Sequence, residues 1–195
     1  MKLHTSVSGG DRLGDKLRQI RERLEKNKGV LIGVPAGLGD YAEGAPLAVI
    51  AAVHEFGTTI KHPGGTSYGY ASEKDAIAGK SRFMKSGTGF MQTGVTGAHD
   101  IVIPERSFLR VPLRQNKDKF VKMFRSMIPK VVKGELTMQA VMVRLGGQGV
   151  RVSVEAIDSG IDPENAPSTV AKKGSSKPLS DSGRLRQSIT FIVED

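Results

Sequence analysis

Asn165-Ala166-Pro167-Ser168-Thr169-Val170-Ala171-Lys172-Lys173-Gly174-Ser175-Ser176-Lys177-Pro178-Leu179-Ser180-Asp181-Ser182-Gly183-Arg184-Leu185-Arg186-Gln187-Ser188-Ile189 signals each of its own changes of conformation. It reads as a short helix, a basic glycine-serine turn, a second short helix and then a strand, Ile189-Thr190-Phe191-Ile192-Val193. Ser168 suits the N-cap of the first helix, and Ser180 or Asp181 that of the second. Pro178 bars one helix from running through. Pro167 and Pro178 fix the turns, Gly174 and Gly183 allow tight bends, and Leu179, Leu185 and Ile189 have the spacing to pin the block to a sheet. Nothing in it has the makings of a reaction centre.

Working outward, residues 1–10 are polar and expected to be loosely held. Leu13, Leu17, Ile20 and Leu24 recur at helical spacing across 11–27, so that segment predicts an amphipathic helix burying one narrow stripe and ended by Gly29. Residues 29–35 predict a short buried strand stopped by Pro35. Pro46 suits a first helical position, and 47–56 is apolar nearly all round, which predicts a buried helix closed by Gly57. Residues 58–100 are glycine-rich and too long for an ordinary connection, so they read as an inserted, partly β arm. Within the arm, 81–85 and 90–93 flank Ser86-Gly87-Thr88-Gly89 as a hairpin would. Phe83, Met84, Phe90 and Met91 are expected to be exposed there and to need a partner to leave water. Residues 101–103 predict a strand that resumes the core and is halted by Pro104, and 106–110 a tight connector.

Leu113, Phe120, Phe124, Met127 and Ile128 share one side of a helix over 112–133, which Pro129 should kink or break. A further helix over 136–145 is expected to be interrupted by Gly146-Gly147-Gln148-Gly149. Residues 150–161 fit both a strand and a helix by periodicity.

A chain of 195 residues with this organisation suits one domain, 1–195, carrying the 58–100 arm and a 162–195 block. It has no cysteine, which excludes disulfides, thiolate metal sites and cysteine nucleophiles. No apolar run approaches the length of a membrane span, and no signal-like segment opens the chain, so a soluble intracellular product is expected. The net charge of +9 admits nucleic acid, an acidic partner or an anionic surface. The basic residues fall in several segments without one long run, and a solvated or partner-facing surface is the preferred reading.

Catalytic patterns fail individually. His54-Glu55 lacks the second histidine of a zincin, because position 58 is Thr58. His54, His62, His99 and Asp100 match no ligand spacing, and read as a helix-end residue and loop residues. No Gly-x-Ser-x-Gly elbow occurs, and Gly146–Gly149 lacks the lysine of a phosphate loop.

Three segments, in order, resemble the virion-morphogenesis proteins of tailed phages, a group that includes minor tail and tail-completion proteins. Ala51-Ala52-Val53-His54-Glu55-Phe56-Gly57-Thr58 resembles their "A-hEfGT" helix end. Ile103-Pro104-Glu105-Arg106-Ser107-Phe108-Leu109-Arg110 resembles their "IP-RPFLR" connector, with Ser107 where proline is common. Asn165 to Ile189 resembles their "PST-ARKGSSKPL-DTG-L-SI" block, with Ser182 where threonine is usual. The resemblance favours helix for 150–161. It implies an α+β fold, a small, mostly antiparallel sheet packed by several helices with a long glycine-rich, partly β arm.

It also implies a non-enzymatic virion component with no catalytic, metal-binding or cofactor-binding residues. Such a protein would assemble in the host cytoplasm as a ring, with six-fold symmetry expected, at the neck or head-proximal tail end. Its partners would be copies of itself and neighbouring neck, portal-side or tail-tube proteins, with no membrane and only secondary contact with nucleic acid. Phe83, Met84, Phe90, Met91, Lys172, Lys173 and Lys177 are the expected intersubunit contacts. Tail completion, tail terminator and head-side collar all fit. The alternative is a basic nucleic-acid-binding or DNA-packaging accessory protein.

Overall fold

The computed structural model describes residues 10–25, 29–37, 39–42, 45–180 and 182–194. The fold is α+β, with small antiparallel sheets packed by helices. The chain forms two compact units, one from the residues up to Phe56 together with those from Arg106 onward, the other from Gly57–Glu105. In chain order the elements are α1 (Gly10–Glu25), β1 (Gly29–Gly33), β2 (Asp40–Ala42), β3 (Ala45–Pro46), α2 (Leu47–Phe56), β4 (Thr58–His62), β5 (Ser67–Tyr70), α3 (Glu73–Ile77), β6 (Arg82–Phe83), β7 (Met91–Val95), β8 (His99–Ile103), α4 (Arg110–Gln115), α5 (Lys117–Lys133), α6 (Met138–Ser159), α7 (Pro167–Lys173), α8 (Arg184–Ser188) and β9 (Thr190–Glu194).

The larger unit is built on α6, which packs against both strands of the antiparallel β1–β9 pair. The expected interruption at Gly146–Gly149 does not occur, and the helix runs through it. These glycines are instead where the sheet comes closest. A Cβ on Gly146 would lie 2.3 Å from the Phe191 ring, and one on Gly149 would fall on Ile32 Cδ1. Missing side chains let the helix approach the sheet, and tertiary packing overrides glycine's poor helix propensity. Around this contact Ala51, Phe108, Ile157, Leu185 and Ile189 form one buried cluster, with Leu179 packed against it. A second cluster, Met127, Val131, Met138 and Val141, joins α5 to α6 and takes in Leu24 of α1.

Several local expectations are corrected. The 112–133 helix breaks at Asn116, not at Pro129. The Asn116 backbone N–H and side-chain Nδ2 both donate to the Pro112 carbonyl (3.1 and 2.9 Å), which closes α4. Pro129 lies inside α5, where the carbonyl left without its N–H belongs to exposed Arg125, within reach of water. Helix α2 is not buried all round: Val49 and Phe56 are exposed, and its buried face is Leu47, Ala51 and Glu55. Pro46 pairs with Asp40 in a strand before the helix begins. On α1 only Ile20 and Leu24 of the expected stripe are half-buried, while Leu13 and Leu17 are exposed. Ala166 precedes α7 as its N-cap and Gly183 precedes α8, so Ser180 is not a cap. Asp181 and the Ser168 side chain lie outside the described residues.

In the smaller unit, β4 pairs with β8 in register from Thr58↔Ile103 to His62↔His99, and a three-stranded sheet has the order β6-β5-β7. The expected hairpin between 81–85 and 90–93 is therefore absent. Both segments pair with β5 between them, because the Met84 and Phe90 N–H groups bond the Ser67 and Tyr70 carbonyls (3.0 and 2.9 Å). His62 and His99 are cross-strand partners with stacked rings 5.0 Å apart, and not loop residues. Only Ser67 and Gly69 of this unit are buried, so it encloses no apolar side chain.

Candidate functional site

The clearest constellation in the larger unit surrounds Glu55. Spacing of four residues along α2 places Glu55 on the same face as Leu47 and Ala51, so the only carboxylate of that helix points inward and is 3 % exposed. Ser107 Oγ donates to its Oε1 (2.6 Å), as do the Arg110 backbone N–H (2.9 Å) and Nε (3.1 Å). The Phe108 and Leu109 N–H groups donate to Oε2 (2.9 Å each). Glu55 thereby caps α4 from another helix, satisfying N–H groups that the first turn leaves without partners. Arg110 adds a bond from Nη2 to the Glu55 carbonyl (3.0 Å) and lies 4.5 Å over the Phe56 ring. The Arg106 N–H donates to the His54 carbonyl (2.7 Å), drawing together the points where the chain leaves and rejoins this unit.

The same connector reaches the block that follows α6. Buried Arg106 donates from Nε to the Pro163 carbonyl (2.7 Å) and from Nη2 to the Glu164 carbonyl (2.9 Å), and burial lowers its guanidinium pKa from the ordinary value. Asn165 clasps the basic turn, its N–H bonding the Ser176 carbonyl (3.1 Å) and its Nδ2 the Lys177 carbonyl (3.0 Å). Phe108, fully buried, meets Leu185 and Ile189 in the core. The three segments singled out in the sequence thus converge on one cluster.

Sequence reasoning noted Glu55 only as part of a helix end and missed its role. The signal was present in the four-residue spacing from Leu47 and Ala51. Ser107 both donates to Glu55 and accepts from the Val111 N–H (3.0 Å), so the hydroxyl binds the connector in two directions.

Chemically, a carboxylate offers about four lone-pair sites, and Glu55 already faces five donors. It is held as an acceptor by both oxygens. The hollow beside it, about 300 Å³, is lined by Glu55, Arg110 and apolar groups such as Ala48, Ala52, Phe56 and Leu113. Among the described residues no cluster of three or more His, Asp or Glu could hold a metal ion, and no helix is long and apolar enough to cross a membrane.

The expected contact residues of the arm lie around its three-stranded sheet. Phe83 is 71 % exposed, Phe90 56 % and Met91 46 %, while Met84 is half-buried. Phe83 is directly opposite Tyr68 and Met91 opposite Tyr70, so these four side chains share one face across β6, β5 and β7. Neither tyrosine was singled out in the sequence. Lys177 sends its ammonium to the Asp158 carbonyl (3.2 Å), and neighbouring Arg186 pairs with the Asp158 carboxylate (2.9 Å). The side chains of Lys172 and Lys173 lie outside the described residues. We found no match to this chain among protein families, curated proteins or solved structures.

Proposed function

We propose that this chain is a non-enzymatic structural protein of a tailed-phage virion, one that forms part of the neck or head-proximal tail end as a homo-oligomeric ring. The observation that carries the reading is the convergence of the three resembling segments. Glu55 binds the connector, Arg106 binds the start of the 162–195 block, and Phe108 packs on Leu185 and Ile189. Residues that keep a resemblance because they share one structural duty should meet in space, and these do. Two further features support it. The carboxylate at the centre is saturated with donors, as a structural clamp requires. The arm presents Phe83, Phe90 and Met91 to solvent, as an element does when its apolar area is covered only on assembly.

Ring building needs head-to-tail contacts between different patches of neighbouring copies. Negative-stain microscopy and sedimentation of the purified chain should show annular oligomers. Phe83→Ser with Phe90→Ser should yield folded monomers, since both side chains are already exposed. In infected cells, depletion of the protein should leave filled heads and tails that fail to join. Normal virions after depletion would overturn the reading.

A further inference from the structure

More than half of the net charge of +9 sits on one helix: α5 carries six cations and the single carboxylate of Asp118, a net +5. At 3.6 residues per turn, Lys119, Lys122, Lys130 and Lys133 fall within an arc of about 80° on the side away from buried Met127 and Val131, with Arg125 flanking them. All five are exposed, and none of their side chains has an ion pair or hydrogen bond among the described residues.

Other helices of the protein pair some of their cations. On α1, Arg18 pairs with Asp15 and Arg21 with Glu25; on α6, Arg151 pairs with Glu155. Those partners sit three or four residues away, where opposite charges support a helix. On α5 the same spacings mostly bring like charges together, Lys119 beside Lys122, Lys122 beside Arg125 and Lys130 beside Lys133, and Asp118, four residues before Lys122, is the one carboxylate of the helix. Lys117 and Lys119 also crowd the first turn, where the helix dipole disfavours cations. The helix dipole accounts for Lys130 and Lys133 in the last turn, but not for the rest. A polyanion laid along the stripe would convert each of these repulsions into attraction.

The stripe is a line rather than a cup. From Lys119 to Lys133 it extends about 21 Å, at 1.5 Å per residue, and that length of duplex carries about twelve phosphates. Between the cations the exposed face offers only Asp118, Ser126 and Pro129, and one proline is too little exposed apolar surface for the dry centre of a protein interface. Phosphate-backbone contact needs no such centre. We propose that this face of α5 binds the phosphate backbone of double-stranded DNA without reading its sequence. The proposal stands whether or not the chain builds a ring.

Fluorescence anisotropy of a short labelled duplex, titrated with the full chain between about 50 and 200 mM salt, tests it. With four or five phosphates neutralised, log K should fall against log salt with a slope of about −4. Replacing Lys119, Lys122, Lys130 and Lys133 with glutamine should weaken binding at least about tenfold and flatten that slope. Replacing Arg18, Arg21, Arg151 and Arg186 with glutamine removes equal charge from paired positions and should change affinity no more than about threefold, because those charges are already neutralised. If the quadruple lysine variant loses its circular dichroism, Lys122→Gln and Lys133→Gln singly should each reduce the slope by about one. Equal losses in the two quadruple variants, or no binding at the lowest salt, would overturn the proposal. So would polyglutamate displacing the labelled duplex as well as unlabelled duplex does, which would assign the stripe to an acidic protein.

Discussion

Glu55 shows what a single buried charge demands of its surroundings. Removed from water, a carboxylate must be given donors on both oxygens, and here the α4 backbone, Ser107 and Arg110 supply them. Its removal would leave those donors facing a void. Glu55→Ala is expected to destabilise the larger unit by about 3–5 kcal/mol, the range for breaking one side of a buried charged network. Glu55→Gln fills the space but turns an amide NH₂ toward N–H groups, and should cost about 1–3 kcal/mol. Urea denaturation followed by circular dichroism measures both. Unchanged midpoints would mean that water reaches the site and replaces the carboxylate. The residue was visible in the sequence, but its direction was not, because hydropathy assigns charged groups to the surface by default. Only the spacing of Leu47, Ala51 and Glu55 told against that default.

At the scale of elements, the sequence was most legible where periodicity and punctuation agreed. The strand at 29–33, the helix at 47–56 and the helix-turn-helix before β9 were readable because each joins apolar residues to a glycine or proline at its edge, and the strand at 190–194 because it opens with a run of β-branched and aromatic residues. It misled where a residue's intrinsic habit was overruled by a distant partner. Gly146 and Gly149 look like a helix break until Phe191 and Ile32, supplied from far along the chain, are set against them. The arm's strand order was hidden for a similar reason, since β5 inserts between two segments that the turn chemistry between them appeared to join. The glycines provide a paired test. Gly147 is exposed and a Cβ there meets nothing, so Gly147→Ala should stabilise α6 by about 0.5–1 kcal/mol. Gly146→Ala must displace a rigid ring and should destabilise by about 1–3 kcal/mol. Thermal unfolding of the two variants should move in opposite directions. A rise in both would show that the Phe191 ring moves aside freely.

At the scale of the whole molecule, two compact units need not depend on each other equally. The larger has two buried clusters, whereas the smaller encloses no apolar side chain. Because the Arg106 N–H bonds the His54 carbonyl, a few glycines should suffice to join Phe56 to Arg106 in place of 57–105. The shortened chain is expected to keep cooperative unfolding and a helical spectrum while forming no annular oligomers. Loss of its cooperative transition would show that the larger unit depends on the smaller. The pairing of β1 with β9 has a further consequence, for synthesis. Gly33 finds its partner Thr190 only after 157 more residues have been added, which takes roughly 8–30 s at about 5–20 residues per second. Throughout that interval β1 waits on the ribosome without its strand partner, and for the first 126 of those residues without a complete α6, so the order of translation makes closure of this core a late event. A nonsense codon near the start of β9 would therefore release a chain whose glycine-lined helix face has no sheet to cover it, a natural target for proteolysis.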